Sequence, residues 1–343
     1  VVVGFSAGTQ LAHAGLSLLP VILFLFGLNL VDTYKLMSLR GILRTLGVGL
    51  AAAAVCYALN TAVFMWTPIP ADQWARFGAP ALEEIAKALY LVWLIRTNRV
   101  AFLVDSAVSG FAVGAGFAIL ENLTYLPELT TAGLAAAAVR GLGTAMMHGG
   151  TTAVFGIVST NRAEIRGTDR VSIFLPGLLI AIVIHTLYNQ PLLPREVSAG
   201  LVLVALPAVL SLIIWQSEKA LKEWLGTKLD KDIDLLNMIA TGTFSESHAG
   251  SYLKSLENTF APVILGDMLC YLQMSLELSA RAKGDMLRLE MGFPLSPDPE
   301  LPGQLKELAY LEGNMGRAGM LALSPLLGTS HRDIWELKQL TAG

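Results

Sequence analysis

Charge is what this chain has least of. Of its 343 residues 15% are charged and 54% hydrophobic, and the mean hydropathy is +0.57, whereas soluble chains carry about a quarter charged residues. That scarcity excludes an ordinary soluble globular enzyme. The net charge of −3 comes with no basic patch and no basic stripe interleaved with aromatics, which excludes nucleic acid as a partner. Cysteine is nearly missing: Cys56 and Cys270 form no CxxC pair. A disulfide framework or thiolate zinc site is thereby excluded, and both residues are expected as buried apolar fillers. Also missing are an HExxH motif, a GxSxG elbow and a suitably set Ser/Lys pair, and with them the zincin, serine and rhomboid-like chemistries.

The charges that exist are unevenly spread. Up to Gln216 there are 12 basic and 10 acidic residues, and after it 12 and 17. The first part is therefore about a tenth charged and the second nearly a quarter, so the two are expected in different solvents. Helices crossing a bilayer need about 20 mostly apolar residues. Seven such stretches are present, roughly Gln10 to Val31, Ile42 to Trp66, Ala79 to Ile95, Val104 to Leu126, Ala135 to Thr160, Ser172 to Leu192 and Ala199 to Gln216. No small-residue cleavage site follows the first, which predicts a span and not a signal peptide. The start at Val1 gives the expectation that a few native residues precede it. Basic residues crowd alternate connections: Lys35, Arg40 and Arg44, then Arg96 and Arg99, then Arg162, Arg166 and Arg170, then Lys219 and Lys222. By the positive-inside rule the amino terminus is outside and the tail cytosolic.

The expected fold class is all-α, a polytopic membrane helix bundle of about seven spans (residues 1–217) with a C-terminal helical cytosolic domain (residues 218–343). In the tail Leu221, Trp224, Leu225, Leu229, Leu235, Leu236 and Ile239 recur at helical spacing. Gly242 and the Ser245–Ser251 cluster should break that helix, and Pro294, Pro297, Pro299 and Pro302 read as a linker before short helices. Ala261 to Leu278 could hide an eighth span, but Asp267, Gln273 and Glu277 favour an amphipathic cytosolic helix.

Ionisable groups inside spans cost at least about 2.5–3.5 kcal/mol each at a helix centre, so they face the protein interior and mark function by default. Here they gather. The third span holds Glu83, Glu84 and Lys87, the fourth Glu121 and Asn122 after Phe117, the fifth His148, and the sixth His185 and Asn189. Residues four apart are neighbours on a helix, so Glu83 should lie over Lys87, Phe117 over Glu121 and His185 over Asn189. In the inferred topology all four helices bring these groups to the outer half of the bilayer. His13, Asp105 and Arg140 sit at span ends, where anchoring or capping explains them. Gly110, Gly114 and Gly116 should allow close packing of helices, and Trp66, Trp74 and Trp93 read as interface or packing groups.

Two carboxylates and two imidazoles in a partly dry cavity suit hydrolysis. In one route a carboxylate is the general base on a water and His or Asn stabilises the oxyanion. In the other, His148, His185 and a Glu such as Glu121 hold zinc and the remaining Glu is the base. Glu83 is the first candidate for activating water, with Glu84 its partner. Lys87 balances carboxylate charge and orients Glu83, and Asn122 and Asn189 position the ring or the scissile carbonyl.

Glu83-Glu84-Ile85-Ala86-Lys87, Phe117 with Glu121-Asn122, His148-Gly149 and His185 with Asn189 resemble, in order, the motifs EExxK, FxxxEN, H and HxxxN/D of the PrsW intramembrane proteases. These are relatives of the CAAX prenyl endopeptidases and ABI proteases. The likeness covers about Ala79 to Gln190 and not the tail, and Glu121 stands where the CAAX enzymes have His. It implies a bacterial plasma-membrane protease that cuts a single-span membrane protein, such as an anti-sigma factor, near its outer side. Two rivals remain at this level: a Glu/His-lined ion or proton transporter, against which no inverted repeat is detected, and a non-catalytic membrane receptor.

Overall fold

The computed structural model describes residues 26–27, 39–124, 134–293 and 298–327. The first expected span and His13 lie almost wholly outside them, as do Pro294, Pro297 and the Arg140 side chain. Among the described residues every regular element is helical. The chain divides into two compact units, Val1–Glu218 and Lys219–Gly343.

The first unit is built from α1 (Leu39–Trp66), α2 (Ala79–Arg96), α3 (Leu103–Thr124), α4 (Leu134–Arg166), α5 (Leu175–Tyr188) and the first half of α6 (Arg195–Ala240). A short turn, Ala71–Gln73, and a π-helical turn, Trp74–Gly78, lead into α2. Helix α3 is the axis of the unit, buried without a break from Val104 to Ala118. Its apolar residues on every side fit a helix enclosed all round. Glycines let its neighbours close in. A Cβ on Gly116 would meet the Leu46 carbonyl oxygen at 2.0 Å and one on Gly49 the Val113 carbonyl at 2.0 Å, which seats α1. On the other side, Cβ atoms on Gly110 and Gly114 would meet the Thr152 and His148 carbonyls at 2.5 and 2.1 Å, which seats α4. The packing role expected for Gly110, Gly114 and Gly116 is thus observed. Gly114→Val should cost about 1–3 kcal/mol through overpacking, read as a lower midpoint of thermal unfolding in detergent.

Leu206, Leu210 and Ile214 of α6 join α3 and α4 in the main core, while α2, α4 and α5 share a second around Leu91, Ile95, Phe155 and Ala181. Helix α2 ends on Thr97 with Asn98 in the left-handed region, φ 50°, a conformation Asn tolerates. Asp105 then accepts from the backbone N–H groups of Ala101 and Phe102 at 3.1 and 2.9 Å. It is the cap its position at a span end suggested. Arg96 donates to the carbonyls of Thr168 and Asp169 at 3.3 and 3.2 Å, so the two basic connections α2–α3 and α4–α5 lie at one end of the unit.

Four described helices are long and apolar enough to cross a membrane: α1, α3, α6 and, later in the chain, Pro262–Glu290. Helix α2 carries Glu83, Glu84 and Lys87, α4 carries His148 among glycines and threonines, and α5 has only 14 residues, about 21 Å at 1.5 Å per residue. The sixth stretch, expected to run from Ser172 to Leu192, is therefore a 3-10 turn (Val171–Ile173) and a short helix that stops at Tyr188. The seventh apolar stretch ends at Gln216 but its helix does not: α6 continues to Ala240 as one helix of 46 residues.

In the second unit, α6 ends at Ala240 and Gly242 adopts φ 75°, as the break expected there requires. It is followed by α7 (His248–Ser255), capped by the Ser247 hydroxyl on the Gly250 N–H at 3.0 Å, then α8 (Pro262–Glu290) and α9 (Leu301–Leu323). Helix α8 buries Met268, Leu272 and Leu276 against Phe244, Leu253, Leu308 and Leu311. Cys270 is exposed and not the buried filler expected, because it lies off that apolar stripe; Cys56 is buried. Pro302 does not belong to a linker but to the first turn of α9, and the non-helical Gly316 (φ 60°) divides α9 into two shorter helices, as expected.

Candidate active site

Pro80 in the first turn of α2 starts a helix whose next turns carry Glu83, Glu84 and Lys87. These face α3, α4 and α5. Glu84 and Lys87 are buried and paired, Lys87 Nζ lying 2.6 Å from Glu84 Oε1. The same oxygen accepts from Thr151 Oγ1 at 3.2 Å and lies 2.8 Å from His185 Nδ1. Glu84 is thus the common acceptor for groups from α2, α4 and α5. Lys87 also reaches His148 Nδ1 at 2.9 Å and sits 5.0 Å from the centre of the Phe117 ring, so its charge is met by a carboxylate, an imidazole and an aromatic face.

Lys87 therefore pairs with Glu84 and not with Glu83 as the four-residue spacing suggested. The three-residue neighbour shares its inward face, whereas Glu83 turns toward a cavity and keeps 14% of its side chain exposed against 1% for Glu84. Glu83 Oε2 lies 3.8 Å from His185 Nε2. Its Oε1 is approached by Asn60 Nδ2 from α1 at 3.4 Å, and Asn60 Oδ1 accepts from the Trp74 indole N–H at 2.9 Å.

Partner chemistry sets the imidazole protons. An ionised Glu84 only accepts, so His185 carries its proton on Nδ1 and turns the Nε2 lone pair toward Glu83. An ammonium on Lys87 only donates, so His148 accepts at Nδ1 and carries its proton on Nε2, 2.5 Å from Glu121 Oε2. The two rings stand edge to face with centroids 4.8 Å apart. Glu83, His148 and His185 each present a ligand atom, all within 4.8 Å of one another. Glu83, Glu121 and His185 line a cavity of about 1030 Å³ together with Asn60, Tyr188 and Asn189, at the upper end of the size range of ligand pockets.

Seven of the eight residues singled out from the sequence lie on the four helices that bound this centre and Asn189 caps the last of them; the two asparagines also bond to backbone carbonyls. Asn122 Nδ2 donates to the Gly141 carbonyl at 3.3 Å and braces α3 against α4. Asn189 Nδ2 donates to the Ala75 carbonyl at 3.2 Å and ties the end of α5 to the π-helical turn. Sequence reasoning missed Asn60 and Thr151, and it left Trp74 as a packing group. A lone Asn inside the apolar run of α1 was the available signal for the first.

A family model described as PrsW family intramembrane metalloprotease matches residues 38–215. No curated protein and no solved structure matches the chain.

Proposed function

The chain belongs to the PrsW family of intramembrane metalloproteases, and from that premise we propose that it hydrolyses a peptide bond of a single-span membrane protein, such as an anti-sigma factor, near the outer side of a bacterial plasma membrane. A multi-pass membrane protease follows from the family and from the apolar helices. The finer reading rests on one observation, the convergence of Glu83, His148 and His185 within 4.8 Å of one another, with Glu83 and His185 on the wall of a cavity.

Two imidazoles and a carboxylate are the donor set of catalytic zinc sites that keep one position open. His185 fits that role directly: its Nε2 lone pair is free, and Glu84 on Nδ1 supplies the outer carboxylate that orients metal-binding imidazoles. Glu83 faces the same point. His148 would join by giving up its Nε2 proton, as metal ligation requires, and with it the contact to Glu121. A zinc ion held there would polarise the scissile carbonyl and acidify the attacking water. Glu121, on the wall of the same cavity, takes the water proton and returns it to the leaving amine as the C–N bond breaks. Lys87 pairs with Glu84, and Glu84 in turn fixes the tautomer of His185.

We further propose that the amino terminus is outside and that residues 218–343 form a cytosolic helical domain, in which α8, though long and apolar enough to cross a membrane, packs its Met268, Leu272 and Leu276 into the core of the second unit. Supporting this, the Arg96 and Arg99 connection meets the connection after Arg166 at one end of the first unit. Glu83 lies 13 residues before Arg96 on α2, about 20 Å from that end at 1.5 Å per residue. The site is then nearer the opposite, outer surface.

The test is cleavage of a single-span membrane protein by the purified chain in detergent or vesicles, with and without a chelator. Cleavage that stops on chelation and returns with zinc is the expected result. Cleavage indifferent to chelation would assign water activation to Glu83 alone, and ion flux without cleavage would favour the transporter.

A further inference from the structure

We infer that Asn60 is a positioning residue for Glu83, locked in the orientation that job needs by Trp74. This rests on the metal-site reading of Glu83, His148 and His185.

The Asn60 side-chain amide has a donor end and an acceptor end, and its neighbours decide which points where. The indole of Trp74 can only donate. At 2.9 Å it therefore fixes Oδ1 toward itself, which leaves Nδ2 aimed at Glu83 Oε1, 3.4 Å away. The two carboxylate oxygens of Glu83 are then divided: Oε1 is held by Asn60, and Oε2 faces His185 Nε2. A carboxylate ligating through one oxygen is commonly fixed by a hydrogen bond to the other. Nothing on α2 supplies that bond, since Lys87 is committed to Glu84 and His148. It has to come from another helix, and Asn60 of α1 is the group in place.

Trp74 is itself set up for this. It opens the π-helical turn Trp74–Gly78, a rare geometry often found at functional sites. A Cβ on Gly78 would meet the indole ring at 2.2 Å, so the ring can lie across the turn only because residue 78 is glycine. Asn189 ties the same turn to α5 through the Ala75 carbonyl. The turn thus registers α1, α2 and α5 around Glu83.

The test uses cobalt(II) as the probe, titrated into the purified chain in detergent and followed through its d–d absorption, with thermal unfolding as the control for folding. Asn60→Leu removes the donor at similar volume and should weaken cobalt binding about tenfold, in the range expected for loss of an outer hydrogen bond to a ligand, with altered band shape. Trp74→Phe keeps the ring but frees the amide, and should weaken binding by a smaller factor. If Trp74 acts through Asn60, the double variant binds no worse than Asn60→Leu alone. Unchanged affinity and spectrum in a folded Asn60→Leu protein would overturn the assignment, and so would additive losses for its coupling to Trp74. A wild-type chain that binds no cobalt would instead overturn the metal-site reading on which the assignment stands.

Discussion

Glu83→Gln is expected to leave the protein folded and membrane-inserted while reducing cleavage by at least about a thousandfold. The two halves of that result have separate causes. Glu83 is the carboxylate that faces the cavity, with part of its side chain exposed and its nearest polar neighbours at 3.4 and 3.8 Å. Its neutral isostere therefore breaks no tight buried pair and leaves no charge stranded, and stability should move by less than about 1 kcal/mol, as for substitutions outside tightly packed networks. Function is affected far more. Gln cannot serve as an anionic ligand, and in a water-excluded site such charge is worth several kcal/mol of transition-state stabilisation. Rate and melting temperature measured on the same detergent preparation check both halves. Residual cleavage within tenfold of wild type would move the essential carboxylate elsewhere, with Glu121 the next candidate. His185→Ala makes the complementary case: the same loss of cleavage, but with Glu84 deprived of one of its three partners.

That so much of this centre is legible in the sequence follows from the cost of polar groups in lipid. Glu84, Lys87, His148 and His185 are ionisable residues in otherwise apolar helices, so their mere presence implied that they face one another. Their pairing was less legible. On one helix Glu83 and Glu84 are both within reach of Lys87, at spacings of four and three, and only the direction in which α2 presents each toward α3 and α4 decides for Glu84. Asn60 and Trp74 were harder still, because a neutral Asn in an apolar span costs less than a charge and an indole near a span end has an ordinary interfacial use. Hydropathy also misplaced the ends of helices. Leu192 and Leu193 lie beyond Asn189, Gln190 and Pro191, which end α5, and they line the cavity instead of extending the helix. After Gln216 the composition changes abruptly, but Glu218, Lys219, Ala220 and Leu221 are good helix formers, so α6 passes the change in composition unbroken.

Lys87→Met and Glu84→Leu should each destabilise the protein by about 3–5 kcal/mol, because each leaves its partner as an uncompensated buried charge. The paired atoms are 2.6 Å apart and the two side chains are 0% and 1% exposed. Glu84→Leu should be the more damaging, since Glu84 also accepts from Thr151 and His185, and an acceptor lost to two buried donors adds its own penalty. The double variant Lys87→Met with Glu84→Leu removes both charges at roughly conserved volume and should recover much of the lost stability. Such replacements of buried ion pairs are often neutral or better. It should not recover cleavage. Without Glu84 nothing holds the His185 proton on Nδ1, and without Lys87 nothing holds the His148 ring through Nδ1, so both imidazoles lose the partners that orient them. Thermal unfolding and cleavage, measured on wild type, both single variants and the double, therefore separate what the pair does for the fold from what it does for the site. A double variant that regained both would reduce the Glu84–Lys87 pair to a structural ion pair, and a double variant no more stable than the worse single would mean that Thr151 and His185, not Lys87, are the partners that Glu84 chiefly serves.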